Sequence, residues 1–214
     1  MLRHRKRDIA LAVGSSALAG YVDAIGFLSL GGFFVSFMSG NSTRLAVGIA
    51  GVPAEALIAG RLIASFVAGV IAGSLIGRLA GERRRPLVLA LVAAMLAAAA
   101  GMAGVGAPDP AVMFVAAAMG AENTTFERDG EVSIGLTYMT GTLVKLGQRL
   151  AGALTGGPRL AWIPYALLWA GLVSGAVIGA LAWPHIGLGG LWFAAIVALG
   201  LSAAAWAMTR QGPV

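Results

Sequence analysis

The chain has 214 residues, of which 58% are hydrophobic and only 11% charged, and its mean hydropathy is +0.86. Soluble domains carry about 25% charged residues, and one of this length could not bury so much apolar surface. The composition therefore predicts an all-α integral membrane protein. The net charge of +6 lies mainly at the ends of apolar segments, which fits membrane topology and argues against nucleic-acid binding. The lack of cysteine excludes disulfides and thiolate chemistry.

The first half of the chain predicts three apolar helices and one polar interruption. Asp23 is the only charge between Asp8 and Arg44. One helix over that stretch would be about 50 Å long, whereas the hydrocarbon core of a bilayer is about 30 Å thick. The chain must therefore break near its Gly and Ser residues. We predict an uncleaved first helix at 9–31, a broken or re-entrant segment at 33–51, helices at 55–79 and 86–105, and a loop at 82–85.

The second half predicts the same order of elements. A helix at 110–126 is closed by the charged cluster Glu127-Arg128-Asp129, and a second polar segment interrupted by glycine follows at 133–152. No Lys, Arg, Asp or Glu occurs between Leu160 and Thr209, which is long enough for two membrane spans. We predict helices at 160–183 and 189–209, joined by a turn at Pro184-His185.

Matching motifs indicate an internal repeat. At an offset of 101 residues, 37–40 aligns with 138–141, and Arg44 aligns with Lys145. Two glycine ladders recur one residue out of this register, and we expect them to form close helix contacts within the chain or between protomers of a homo-oligomer. The ladders consist of Gly69, Gly73 and Gly77 in one half and Gly171, Gly175 and Gly179 in the other. The predicted repeats are 1–107 and 108–214.

Basic residues predict the orientation of the helices. The leader with Arg3, Arg5, Lys6 and Arg7 and the run Arg83-Arg84-Arg85 should both be cytoplasmic. An even number of crossings must separate them, so the segment at 33–51 should not cross. Each half then has three spans, six in total, and the second half is inverted. We expect a multi-pass protein of the bacterial inner membrane with both termini in the cytoplasm. Inverted repeats with interrupted helices are typical of secondary transporters.

The candidate site residues are the intramembrane polar groups and the starts of the two polar segments. A carboxylate inside an apolar helix is costly and is usually functional or paired. Asp23, with Glu122 and Asn123 in the counterpart region, therefore predicts a solute, ion or proton site. The alternative is a set of structural ion pairs, of Asp23 with Arg44 and of Glu122 or Glu127 with Lys145. Amides at a helix start bind anions, but Ser, Thr and Asn there can also act as ordinary helix caps. The predicted substrate-binding residues are Asp23, Ser39, Gly40, Asn41, Ser42, Thr43, Arg44, Glu122, Asn123, Thr140, Gly141, Thr142 and Lys145.

Three stretches of the sequence resemble the YoaK-like family of bacterial membrane proteins. They are Gly20-Tyr21-Val22-Asp23-Ala24, the run 37–42 and the run 139–143. The resemblance covers nearly the whole chain and implies an inner-membrane location and a duplicated helical architecture. It implies no substrate and no catalytic residue. The sequence departs from the family at Glu122-Asn123-Thr124, where the resemblance leads us to expect Gln-Asn-Ala.

The function expected from these features is transport or channelling of a small solute, and the alternative is a membrane scaffold or accessory subunit. Motifs of metalloproteases, serine hydrolases and P-loop enzymes are absent, so we do not expect an enzyme. His4 and His185 lack metal-ligand spacing, and we expect neither a metal nor a cofactor. The expected partners are the lipid bilayer and a polar or charged solute. The carboxylates favour cations or protons as that solute, whereas the helix starts favour anions.

Overall fold

The structure is a computed structural model that describes residues 6–128 and 131–210. Within these ranges, the chain forms α-helices and one two-stranded antiparallel ribbon in which Glu127 lies opposite Val132. The helices are α1 (Lys6–Ser29), α2 (Met38–Gly51), α3 (Pro53–Ala80), α4 (Arg84–Gly104), α5 (Pro108–Glu122), α6 (Met139–Leu154), α7 (Ile163–Ile186) and α8 (Gly190–Arg210), and the ribbon consists of β1 (Glu127–Arg128) and β2 (Glu131–Val132).

Three helical stretches in the described part of the chain are long and apolar enough to cross a membrane. They are Lys6–Ser29, Pro53–Gly104 and Ile163–Arg210. The second contains 52 residues and would be about 78 Å long as one helix. Both long stretches instead fold back at a glycine with positive φ, 56° at Gly81 and 50° at Gly187, a conformation that side chains other than glycine rarely adopt. These apolar helices confirm the prediction of an α-helical membrane protein.

The segments predicted at 33–51 and 133–152 each consist of a loop followed by a continuous helix, α2 or α6, so the chain breaks before these helices and not within them. Two other predicted boundaries were wrong. Pro184 and His185 lie inside the last turns of α7 rather than in a turn, because the chain reverses at Gly187. The helix predicted at 110–126 ends at Glu122, and β1 contains Glu127 and Arg128. Asp129 and the leader residues 1–5 lie outside the described residues.

Glycines let two pairs of helices approach closely. On α7, Gly171, Gly175 and Gly179 lie against Val13, Ala17 and Tyr21 of α1, so these helices run in the same direction. On α3, Gly69 lies against Ala117 of α5 and Gly73 against Ala121, so these two are also parallel. A Cβ at Gly69 or Gly175 would overlap a carbonyl group of the neighbouring helix. The ladders are therefore buried inside one chain, which is the first of their two predicted uses.

Helix α8 runs antiparallel to both α1 and α4. The hydroxyl of Tyr21 donates to the carbonyl oxygen of Gly190 at 3.1 Å, while Gly14 lies against Leu201. The hydroxyl of Ser202 donates to the carbonyl oxygen of Pro86 at 2.7 Å. At the start of α4, Arg85 forms an ion pair of 2.5 Å with Asp8 at the start of α1. Helices α1 and α4 therefore start at the same end of the bundle, where α3 ends.

This end of the bundle, which we call the basic end, collects most of the basic side chains. It contains the starts of α1, α4 and α7 and the ends of α3 and α8. The basic residues there are Lys6, Arg7, Arg78, Arg83, Arg84, Arg85, Arg159 and Arg210. The opposite end carries Glu55, Asp109 and His185.

Two short polar helices, α2 and α6, start inside the bundle. Gly48 of α2 lies against Ala56 and Leu45 lies near Gly60, so α2 folds back along α3 toward the opposite end. Helix α6 follows a buried loop and leads to the start of α7 at the basic end. With 14 and 16 residues, α2 and α6 are about 21 and 24 Å long, shorter than the hydrocarbon core.

Candidate functional site at two inserted loops

Asp23 anchors the first inserted loop, which we define as residues 30–37. Its Oδ1 accepts hydrogen bonds from the backbone N–H groups of Val35 at 2.9 Å and Ser36 at 2.8 Å. Phe33 and Val35 are buried in the main apolar core. Backbone inside a membrane protein must find its hydrogen-bond partners within the protein, and a carboxylate is a strong acceptor. Asp23 therefore holds this loop within the bundle.

Asn41, in the first turn of α2, holds the same loop from the other side. Its Oδ1 accepts from the N–H of Phe34 at 3.0 Å, and its Nδ2 donates to the carbonyl oxygen of Phe34 at 2.6 Å. The side chain is fully buried. The backbone N–H and carbonyl groups of Phe34 thus both have hydrogen-bond partners without water. Asp23 and Asn41 together fix the entry into α2.

Asn123 anchors the second inserted loop, defined as residues 133–138. Its Oδ1 accepts from the hydroxyl of Thr137 at 3.1 Å, and its Nδ2 donates to the carbonyl oxygen of Met119 at 2.9 Å. Thr137 is offset from Ser36 by the 101 residues that relate the sequence motifs. The two loops are therefore tethered at corresponding positions, one by a carboxylate and backbone amides and the other by neutral side chains.

Ser16 shows how deep the second inserted loop reaches. Its hydroxyl lies 3.1 Å from the carbonyl oxygens of both Leu136 and Leu168 and can donate to either. Ser16 is near the middle of α1, which contains 24 residues. The chain at Leu136 therefore lies near the middle of the bundle, and Ile134 and Leu136 pack into a core cluster with Leu11 and Leu168.

Glu122, at the end of α5, has no polar contact. It is 0% exposed, and neither of its carboxylate oxygens has a hydrogen-bond partner among the described residues. The hydroxyl oxygen of the nearby Thr125 is also buried without a partner. Most buried polar groups in proteins are hydrogen-bonded, so an unpaired carboxyl group indicates a constraint other than packing.

The predicted ion pairs were wrong. Asp23 accepts from backbone amides, while Arg44 lies over the ring of Phe33 at 4.5 Å and 3.9 Å from Glu55. Glu127 pairs with Arg84 at 2.9 Å and accepts from Ser74 at 3.1 Å, instead of pairing with Lys145. The reason is the fold: Arg84 starts α4 beside the end of α3, whereas Lys145 is exposed on α6.

The predicted helix caps were also wrong. The residues that precede α2 and α6 are Phe37 and Tyr138, and no side chain caps either helix. On α2, the hydroxyls of Ser42 and Thr43 donate to the carbonyl oxygens of Met38 and Ser39, one turn earlier. Ser39, Ser42 and Thr43 are exposed, and Gly40 packs against Phe34 and Phe37. No side chain therefore occupies the start of either helix as a cap.

A small polar cavity lies at the start of α6. Its volume is about 40 Å³, and Thr142 and Lys145 line it together with Ser133, Ile134, Gly135, Tyr165 and Leu168. Thr142 is buried, whereas Thr140, Gly141 and Lys145 are exposed. Among the predicted residues, the structure thus groups Asp23 with Asn41 around the first loop and Thr142 with Lys145 around the cavity, while Asn123 tethers the loop beside it.

Sequence analysis missed several residues of these loops. Ser16 is an unremarkable serine in an apolar helix, and nothing in the sequence indicates that it meets Leu136 and Leu168. Ser36 and Thr137 could have been found, since they fall at the same offset as the other paired residues. The pair of Arg84 with Glu127 had no local signal, because the neighbours Arg83 and Arg85 have the same residue type.

The chain has relatives among known proteins. A family profile described as a protein of unknown function, DUF1275, matches residues 11–204. The chain is also similar to the UPF0700 transmembrane protein RA0705 of Rhizobium meliloti (strain 1021), with 38% identity over 215 residues that cover 99% of this chain and 92% of the relative. No solved structure matches the chain. These matches confirm the resemblance to the YoaK-like proteins, which are members of this family. The chain therefore belongs to the DUF1275 family of bacterial transmembrane proteins.

Proposed function

We propose that this protein is a small-solute transporter of the bacterial inner membrane, built from two inverted halves with six crossings. One observation carries the proposal: two short helices, α2 and α6, start inside the bundle after loops tethered at corresponding positions, and they run toward opposite ends. Secondary transporters bind their solutes where interrupted helices of two inverted repeats meet inside the membrane.

Helix directions support the inversion. Helix α3 ends where α1 starts, so these two run in opposite directions. Helix α5 is parallel to α3 and therefore runs opposite to α1, its predicted counterpart. The contacts are paired in the same way, since α1 packs on α7 as α5 packs on α3, and α4 packs on α8. An inverted pair of three-span halves would have these directions.

The starting points of α2 and α6 support six crossings. Both helices begin inside the bundle and are only about 21 and 24 Å long, so neither would span a hydrocarbon core of about 30 Å from face to face. Helix α5 is also short, with 15 residues, but it is apolar and the chain continues beyond it through the buried residues 123–126. The loops that precede α2 and α6 lie against protein, which is the condition for non-helical backbone at membrane depth. The basic end would face the cytoplasm, because basic residues are retained on that side.

In this proposal, the solute meets the first turns of α2 and α6, in the segments 39–44 and 140–145. Helix starts carry partial positive charge, and Arg44 and Lys145 lie one turn further along each helix. Asp23 and Asn123 position the loops, because Oδ1 of each side chain accepts hydrogen bonds from its loop. We propose no catalytic step, and the protein would bind and move its solute without changing it.

Transport can be tested on purified protein in proteoliposomes with a panel of inorganic ions, organic acids and amines. We expect flux, or thermal stabilisation, with at least one chemical class. Asn41→Leu should abolish flux because it removes both contacts to Phe34, whereas the control Val47→Ala, on an exposed position of the same helix outside the segment 39–44, should retain it. Neither flux nor stabilisation across the panel, together with a reproducible cross-linked partner in native membranes, would favour the accessory-subunit alternative.

A further inference from the structure

Glu122 differs from the other acidic side chains in the bundle. Asp23 accepts from two backbone amides, Asp8 pairs with Arg85, and Glu127 pairs with Arg84 and accepts from Ser74. These contacts stabilise the ionised carboxylate. Glu122 has no such contact and is fully buried. No hydrogen bond would therefore offset the unfavourable free energy of burying its ionised form in an apolar interior.

The surroundings of Glu122 favour a proton over a metal ion. Helix α5 packs against α1, α3 and α4, whose titratable or charged side chains are Lys6, Arg7, Asp8, Tyr21, Asp23, Glu55, Arg61, Arg78, Arg84 and Arg85. None of them donates a hydrogen bond to the carboxylate of Glu122. In the part of the chain that the structure describes, no three His or acidic side chains form a group that could hold a metal. A lone carboxylate offers too few oxygens for a metal cation, but it needs no other ligand to bind a proton.

Glu122 is also adjacent to the tether of the second inserted loop. The next residue, Asn123, holds that loop through the hydroxyl of Thr137, which is a neutral hydrogen bond. Neutral hydrogen bonds contribute only about 1 kcal/mol each. The first loop, in contrast, is held by the carboxylate of Asp23. Other hydrogen bonds that hold the second loop, from Ser16 to Leu136 and from Ser133 to Phe126, are neutral as well. Because no charged group in the described part of the chain anchors it, the second loop is the one that can separate more easily and admit water to Glu122.

We propose that Glu122 is a proton-binding site: it carries a proton while buried and releases it to water when the second inserted loop separates from Asn123. This inference rests on the proposed transport function, for which it names the proton as the coupling ion. The counterpart of Glu122 in the first half is Val22, so only the second half would carry the proton.

Infrared spectroscopy of the purified protein in lipid tests this assignment directly. At neutral pH, the wild type should show the carbonyl stretch of a protonated carboxylic acid. The band should shift in D₂O, because the proton exchanges with water, and should disappear at alkaline pH. Glu122→Gln should lack the band, whereas Glu122→Asp and Asp23→Asn should retain it. Glu122→Gln resembles the protonated side chain and should unfold at the same temperature as the wild type or higher.

Three results would overturn the proposal: no protonated carboxyl band at any pH, a band that persists in Glu122→Gln, or a band that does not shift in D₂O. The first and third results can be tested on the wild type even if a variant fails to assemble. Flux measurements separate the two proposals. If the wild type shows the carboxyl band that shifts in D₂O but no flux, the result supports the proton site and contradicts transport. Flux that is insensitive to a pH gradient, without the band, contradicts the proton site alone.

Discussion

Asp23 illustrates how one polar residue can determine local structure inside a membrane. Burying a carboxylate in an apolar membrane helix is unfavourable in free energy unless hydrogen-bond donors contact it. Burying the backbone N–H groups of a loop is likewise unfavourable unless acceptors contact them. The bonds to Val35 and Ser36 remove both penalties together. Asp23 would destabilise α1 as an isolated membrane helix, but it stabilises the folded chain.

Replacement of Asp23 should reveal its anchoring role. Asp23→Ala leaves two buried N–H groups without an acceptor, so we expect a loss of at least about 3 kcal/mol in the free energy of unfolding. Asp23→Asn keeps an oxygen acceptor but loses the charge, so we expect a loss of about 1–2 kcal/mol. SDS titration in mixed micelles can measure both. The control Glu82→Gln, on an exposed position, should change little. Equal losses for the two Asp23 variants would contradict this account.

The pair of Arg84 and Glu127 should contribute strongly because it is mostly buried. Their side chains are only 16% and 10% exposed. Arg84→Met removes the cation and leaves Glu127 with the hydrogen bond from the hydroxyl of Ser74, so we expect a loss of about 3 kcal/mol in the free energy of unfolding. The double variant with Glu127→Gln should recover part of this loss, since no unpaired charge is then buried. Additive losses in the double-mutant cycle would show that the two residues do not interact.

Helix packing depends on glycine where two backbones meet. Membrane helices gain no hydrophobic free energy from leaving lipid, so their association relies on close van der Waals contact between small residues. Gly175 fits against the backbone of Ala17, and Gly120 fits against that of Phe66. The same feature is found on both sides of the bundle, between α1 and α7 and between α3 and α5.

A matched pair of glycine substitutions separates close packing from helix propensity. At Gly175, an added Cβ would overlap the carbonyl group of Ala17, and the neighbouring backbone cannot move away easily. We therefore expect Gly175→Ala to lower the free energy of unfolding by about 2–3 kcal/mol. Gly200, inside α8, faces open space, so Gly200→Ala should be neutral or stabilising by up to about 1 kcal/mol. Similar effects of the two substitutions on SDS-induced unfolding would contradict the assigned helix contact.

For the whole molecule, the sharpest prediction concerns membrane topology. Gly51 ends α2 at the opposite end of the bundle, and Gly152 lies near the end of α6 at the basic end. A side chain added at either position meets no neighbouring atom. We expect Gly51→Cys to react with an impermeant thiol reagent from outside the cell and Gly152→Cys only from the cytoplasm. The chain contains no native cysteine, so the background is clean. Labelling of both positions from one face would rule out inverted halves.

Much of the architecture could be predicted from local signals. The lengths of the apolar runs predicted the bounds of the long helices to within a few residues, and Gly or Pro near the helix ends marked most of the breaks. The loops were harder, because their stability depends on partners distant in sequence. The predicted pairing of Asp23 with Arg44 failed for this reason: opposite charges favour pairing, but the backbone amides of Val35 and Ser36 lie closer in the fold.

The sequence by itself determined that this chain lies in a membrane, because no soluble fold of its length could bury so many apolar residues. It also determined the order of helices and polar segments, since charges and glycines interrupt apolar runs locally. Only the tertiary structure decided which polar groups meet. Asp23 became a loop anchor, Arg84 became the partner of Glu127, and Glu122 was left buried without a partner. Such outcomes depend on helix directions and close contacts, which the sequence of a single segment does not encode.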